Sequence, residues 1–223
     1  MPGQYVNDSG MVIRSDAYGE YDRRVVILTK DHGKITAFAK GARRQNNRLM
    51  AATDLFCFGE YRLYPGKEAY TLVDATPKTY FDELRSDMDA AMYGMYFLEV
   101  MEYQTRENND EEQLLVLLYL ACRTLKNDKI DNRLVKAVFE LKTIVLQGIY
   151  GEDEELSEDI KSKISESAAY AIDLVVKAPT KEIFSFMLKE EPLGEFIKYT
   201  EHIRRKKWGR SFKSEELLEV LCS

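Results

Sequence analysis

The feature that most limits how this chain can fold is a change in the period of its apolar residues near Pro77. Before that point, apolar and polar residues alternate in short runs at 11–14, 23–29, 34–40, 55–64 and 69–74. Side chains of a strand point to opposite faces in turn, so such runs read as strands with one buried face. Asp31-His32-Gly33 and Pro65-Gly66 supply tight reversals between them. After Pro77 the apolar period becomes about 3.6, which marks helices. Met88, Met92, Met95 and Tyr96 share one side of the first long segment, and Leu114, Leu117, Leu118, Ala121 and Leu125 one side of the second. Leu134, Val138, Leu141, Val145 and Ile149 mark a third, with Gly148 and Gly151 placed to end it. Further helices are expected at 165–177, 180–189, 193–207 and 214–221.

Five short strands with tight turns in so short a stretch suit a small closed barrel of the OB type better than a sandwich of seven or more strands. The expected fold is therefore α+β: a five-stranded OB-fold barrel in residues 1–78, followed by an all-helical domain in 79–223. Hydrophobic residues at 45% and charged residues at 31% exclude a wholly disordered chain. The longest uncharged apolar run, 114–122, is nine residues, well short of the roughly 20 that a membrane-spanning helix requires. The opening MPGQYVNDSG lacks the basic flank and apolar core of a secretory signal. A cytoplasmic location without membrane association is expected. Cys57, Cys122 and Cys222 are odd in number and far apart, which suits buried reduced thiols better than a disulfide framework or a metal knuckle.

Charge is unevenly divided. Residues 1–80 carry 12 basic and 9 acidic side chains, leaving 20 and 29 of the totals of 32 and 38 for the rest. Within 14–48 the count is 9 basic against 4 acidic, so the formal net charge of −6 conceals a positive N-terminal region. Its densest part is LTKDHGKITAFAKGARR, residues 28–44. As a strand, this stretch puts Lys34, Thr36, Phe38 and Lys40 on one face and Ile35, Ala37 and Ala39 on the other. The following loop adds Arg43, Arg44 and Arg48. Cations that neutralise phosphates, beside a ring that stacks on an unpaired base, are the means by which single-strand binders use an OB surface. Whether Phe38 faces outward or lies in the barrel core is left open by the pattern. Enzyme signatures do not occur: there is no GxGxxG, GxSxG or HExxH, and GEYRLYPGKE has the wrong spacing and Glu68 after its lysine for a phosphate-binding loop. His32, in a hairpin turn, and His202, in a basic helix, are expected to be solvated.

The residues Gly10-Met11-Val12-Ile13-Arg14-Ser15, then Tyr18, Glu20 and Asp22, followed by LTKDHGKITAFAKGARR, resemble the N-terminal signature of the RecO family of bacterial DNA repair and recombination mediators. Lys136-Ala-Val-Phe139-Glu140-Leu141 through Gly148, and Arg210-Ser-Phe-Lys213-Ser214, are similar to the family's Phe-Glu-Leu helix and C-terminal Lys-Ser element. The resemblance implies an OB fold on a helical domain, without catalytic turnover. It implies binding of single- and double-stranded DNA, strand annealing, docking of the acidic C-terminal tail of single-stranded DNA-binding protein, and action with RecR in loading RecA. Carried onto this chain, the DNA surface includes Lys34, Phe38, Lys40, Arg43, Arg44 and Arg48, with Arg14, Arg23 and Arg24 beside them. The partner tail falls at Lys136 and the nearby Arg133. Many relatives place two CxxC pairs after the glycine that ends this helix, where this chain has the cysteine-free GEDEELSEDIKSKISES, so no zinc or other cofactor is expected. The rival reading is a protein-interaction module, with the barrel as scaffold and little DNA affinity of its own.

Overall fold

The structure is a computed structural model that describes residues 4–151 and 164–221. They form two compact units, one made of the residues up to 82 together with 98–115, the other of 83–97 and the residues from 116 onward. The first unit is a closed barrel of β1 (Val6–Tyr18), β2 (Asp22–Thr29), β3 (Lys34–Ala39), β4 (Phe58–Tyr64) and β5 (Tyr70–Thr79), joined in the order β1-β2-β3-β5-β4. All pairings are antiparallel except β3 with β5. Five strands closed in this order, with one parallel seam, make an OB-type barrel.

The alternation read from the sequence is realised. Val12, Val25, Ile27, Ile35, Ala37, Ala39 and Tyr61 fill the barrel, while Lys34, Thr36 and Phe38 stand outside on the intervening positions. Phe38 is therefore an outer-face residue, not part of the core. In β1 a bulge shifts the register: Val12 pairs with Ile27 and Arg14 with Val26. A bulge re-aims the side chains that follow it, so Arg14, Asp16 and Tyr18 continue on the outer face, opposite Val26, Arg24 and Asp22. The β2–β3 turn needs its glycine, because Gly33 has φ +66° and a Cβ there would lie 2.3 Å from the Arg106 carbonyl oxygen. Residues 98–115 join this unit through that turn: Lys34 N–H donates to the Arg106 carbonyl at 2.9 Å, and Asn108 N–H to the His32 carbonyl at 3.0 Å.

His32 is more than a solvated turn residue. Its Nδ1 lies 2.7 Å from the carboxylate of buried Asp8, which also accepts the backbone N–H groups of Asp31 and His32. A carboxylate with this many donors is satisfied although buried.

Eight helices occur among the described residues. α1 (Leu49–Ala52) closes the loop after β3, and α2 (Asp82–Ser86), α3 (Met88–Gln104) and α4 (Glu112–Thr124) follow the barrel. α5 (Asn132–Leu146), α6 (Glu166–Lys177), α7 (Glu190–Trp208) and α8 (Lys213–Leu221) complete the chain. None is long and apolar enough to cross a membrane. Asp131 caps α5 by accepting the Arg133 N–H at 2.8 Å, and Gly148 beyond its end has φ +69°.

Two expectations are corrected here. The side of α3 marked by Met88, Met92, Met95 and Tyr96 is only in part its core face: Tyr96 is fully buried with Tyr93, Phe97 and Val100, but Met88 and Met95 are exposed. Residues 180–189 form turns and extended chain rather than a helix. Their one fully buried anchor is Ile183, and the Ala178 carbonyl just before them is taken by Lys142. With only Thr180 and Ile183 buried, the segment has too little apolar face to repay helix nucleation. Cys57 and Cys122 are buried and free, and burial raises the Cys122 thiol pKa. Cys222 and most of the acidic segment that replaces the family's cysteines lie outside the described residues.

Candidate nucleic-acid interface

The nine basic and aromatic positions expected to meet DNA all lie in the barrel unit, but they separate into two groups. The first is built into the framework. Arg23 Nη1 reaches Asp54 at 2.6 Å, Thr53 Oγ1 at 3.1 Å and the Met50 carbonyl at 3.2 Å, pinning α1 to β2. Lys34 Nζ donates to the Glu102 carbonyl at 2.5 Å, and burial lowers its pKa. Arg14 donates to Glu102 at 3.0 Å and to Asp16 at 2.7 Å, and these bonds raise its pKa. Arg48 pairs with Asp74 at 3.2 Å but remains largely exposed.

The second group gathers where β3 runs out. Gly41, with φ +66°, turns the chain, and its N–H is held by Asp22 at 2.7 Å. The loop then docks on the β1–β2 turn. Arg43 N–H donates to the Tyr21 carbonyl at 2.8 Å, and its Nη1 to the carbonyls of Gly19 at 3.3 Å and Glu20 at 3.2 Å. Arg44 places its guanidinium 4.7 Å from the centre of the Tyr21 ring, a cation–π contact. Lys40 is exposed and Arg24 half-buried, and neither makes a side-chain hydrogen bond or ion pair among the described residues. Arg24 stands directly opposite Phe38 across β2 and β3. The Phe38 ring in turn meets Tyr18, with centroids 4.7 Å apart and planes inclined by 52°.

This end of the barrel therefore presents four cations, Arg24, Lys40, Arg43 and Arg44, around exposed aromatic rings. Of the acidic side chains nearest in the sheet, Asp16 is paired with Arg14, while Asp22 accepts the Gly41 N–H and keeps its charge. Tyr18 and Tyr21 were not among the expected contact residues. The available signal was the pair of aromatics in the turn Tyr-Gly-Glu-Tyr, which cannot both be buried at a hairpin tip.

The expected partner-docking residues are placed otherwise. Lys136 is largely buried, within 2.8 Å of Glu140 and 3.2 Å of Glu215. Burial opposes its charge, yet the two carboxylates outweigh it and raise the pKa. Arg204 completes the group, 2.7 Å from Glu215, with its Nε 3.4 Å from Glu140. Tyr96 donates its hydroxyl to Glu140 at 2.5 Å. Two cations and two anions are thus closed on one another, and the Phe-Glu-Leu triplet is the core of this unit: Phe139 stacks on Phe97 at 4.2 Å, and Leu141 is fully buried. Arg133 is half-exposed but holds Asp131 at 2.6 Å and Glu190 at 2.8 Å. It borders a cavity lined also by Asp87, Asp89 and Asp128, a surrounding of the wrong sign for an acidic peptide.

The comparisons agree with this architecture. The family model "Recombination protein O N terminal" matches residues 1–81, and "Recombination protein O C terminal" matches residues 85–152. The chain is 28% identical to a DNA repair protein RecO of Acetivibrio thermocellus over 97% of both chains. It is 26% identical to the protein of that name from Clostridium perfringens, over 97% of this chain and 98% of the other. With that of Alkaliphilus metalliredigens it shares 35% identity over 65% of this chain and 58% of the relative.

Proposed function

Because the chain belongs to the RecO family, whose role lies in DNA repair and recombination, we propose that it acts as a mediator that binds single- and double-stranded DNA through the open end of its barrel. The observation that carries this reading is the grouping of Arg24, Lys40, Arg43 and Arg44 around Phe38, Tyr18 and Tyr21. Guanidinium and ammonium groups meet phosphate oxygens whatever the base, so binding is independent of sequence. Two strands brought to neutralised phosphates repel one another less, which favours annealing without any covalent step. The helical unit takes the role of recruiting RecR and the tail of single-stranded DNA-binding protein, so that RecA is loaded where the barrel holds DNA. Neither expected cation is offered as the docking point of that tail, since Lys136 is met within the fold and Arg133 is paired with Asp131 and Glu190.

The test is oligonucleotide affinity as a function of salt. Four phosphate contacts give a log–log slope of about −3 for a single strand. Reversing charge in Arg43→Glu with Arg44→Glu should lower the magnitude of that slope by about 1.4 and weaken binding to all sequences alike. A flat slope in the unaltered protein, or no binding at low salt, overturns the reading in favour of a scaffold whose contacts are with proteins.

A further inference from the structure

We propose that Tyr18 and Tyr21 form a two-ring platform for unpaired nucleobases, so that the barrel end discriminates single-stranded from duplex DNA; this rests on the reading of that end as the DNA surface. Tyr18 ends β1 and Tyr21 lies in the turn that follows, and their relative exposures, 54% for Tyr18 and 42% for Tyr21, are high for rings of this size. Neither ring is loose. Tyr18 is braced by Phe38, and Tyr21 by the Arg44 guanidinium. The turn carrying them is fixed from below by Arg43, which binds the carbonyls of Gly19 and Glu20.

A ring held from one side and bare elsewhere has already lost much of the freedom that stacking would otherwise cost. Every base has a π-face, so such a platform tolerates any sequence. In a duplex those faces are covered by neighbouring base pairs, which leaves only phosphates and groove edges for a protein to meet. The cations therefore serve both kinds of DNA, while the tyrosines serve the unpaired one. Phe38 supports the platform without needing to touch DNA, a different role from the one its place in the sequence suggests.

The experiment measures the full chain against three probes of equal length: an oligo-dT strand, an abasic strand with the same phosphates, and a duplex. The unaltered protein should bind oligo-dT at least tenfold more tightly than the abasic strand. Tyr18→Ala and Tyr21→Ala should each weaken oligo-dT binding by about tenfold, about 1.4 kcal/mol, and leave the abasic strand, the duplex and the salt slope within twofold. Tyr18→Phe and Tyr21→Phe keep the ring and should bind like the parent, which separates loss of stacking from loss of folding. Equal affinity for oligo-dT and the abasic strand, with a steep salt slope, overturns the platform but leaves the DNA surface standing. Equal losses on all three probes also overturn it, since the tyrosines would then act by positioning the cations. Absence of binding to every probe at low salt removes both the platform and the reading beneath it.

Discussion

Replacing Glu140 by glutamine tests whether the charges of the helical unit are held as a closed set. The carboxylate accepts from Tyr96 and lies against Lys136 and Arg204, while Glu215 meets the same two cations. Side-chain exposure is 17% for Lys136, 6% for Arg204 and 1% for Glu140, so water offers little compensation. Glutamine keeps the shape and can still accept from Tyr96, but it leaves two buried cations facing one anion. Breaking a buried pair from one side costs about 3–5 kcal/mol, a large part of the roughly 5–15 kcal/mol that holds a domain folded. For a chain of this size that corresponds to a fall in Tm of roughly 6–20 °C. Trp208 is the sole tryptophan and packs edge-on against Phe212 in the same unit, so its fluorescence in a urea titration follows the relevant transition. The double variant Lys136→Met with Glu140→Gln removes one charge of each sign and leaves Arg204 with Glu215. It should be more stable than the sum of the single effects by at least about 2 kcal/mol. A loss below about 1 kcal/mol for Glu140→Gln, or strict additivity in the double variant, would refute the reasoning.

Three other outcomes follow from individual contacts. Burial alone would raise the Asp131 pKa, but hydrogen bonds from the Arg133 side chain and backbone outweigh it and leave the pKa lowered. A carboxyl whose folded pKa is depressed adds stability above its unfolded value near 3.9 and loses it as pH falls through the folded value. Asp131→Asn, which still caps α5, should therefore cost about 1 kcal/mol or less at pH 7, and the difference should shrink progressively in urea titrations as pH is lowered below about 4. In the barrel, Gly33→Ala combines a left-handed φ with a contact of 2.3 Å to a backbone oxygen. It should cost at least about 2 kcal/mol, visible as a lower midpoint in denaturation followed by circular dichroism. Lys142 donates to the carbonyls of Val175 at 3.1 Å and Ala178 at 2.7 Å, capping the end of α6. Lys142→Met should lose about 1–3 kcal/mol by leaving those acceptors unmet, with faster hydrogen exchange along α6.

What could be read from the sequence was local periodicity. Ile35, Ala37 and Ala39 alternate with Lys34, Thr36 and Phe38 because β3 has one face in the barrel, and a period of two records that directly. The helices at 112–124, 132–146, 166–177 and 190–208 were visible for the same reason at a period of 3.6. The methionine stripe of α3 misled because Met88, Met92 and Met95 repeat at helical spacing beside the true core row of Tyr93, Phe97 and Val100. Periodicity alone does not say which of two adjacent apolar rows is covered. Contacts made over long separations left no such trace. Glu140 meets Arg204, 64 positions further on, and Tyr96, 44 positions back, and Arg204 in turn holds Glu215. The i,i+4 spacing of Lys136 and Glu140 announces one partner for that lysine, but nothing local announces Glu215, which closes the set from 79 positions away.

The same distinction decides how much charge the barrel can offer to a polyanion. The region 1–80 carries 12 basic side chains, but a cation paired with a carboxylate or buried against the fold has less charge and fewer free donors to offer a phosphate. Arg14, Arg23 and Lys34 are of this kind, and they keep the bulged strand, α1 and residues 98–115 in place. The acidic partners of Arg14 and Arg23 are met in the same bonds, which lowers repulsion at the surface without occupying the outer cations. Arg24, Lys40, Arg43 and Arg44 remain, Arg43 held by backbone carbonyls and Arg44 by an aromatic face, and none of the four by a carboxylate. At physiological ionic strength a charge is felt over only about 8 Å, so a phosphate at this end of the barrel responds to that cluster and not to the formal −6 of the whole chain. On the proposed reading, the framework cations lower the negative charge beside the site, and the four outer ones are the groups that meet phosphate.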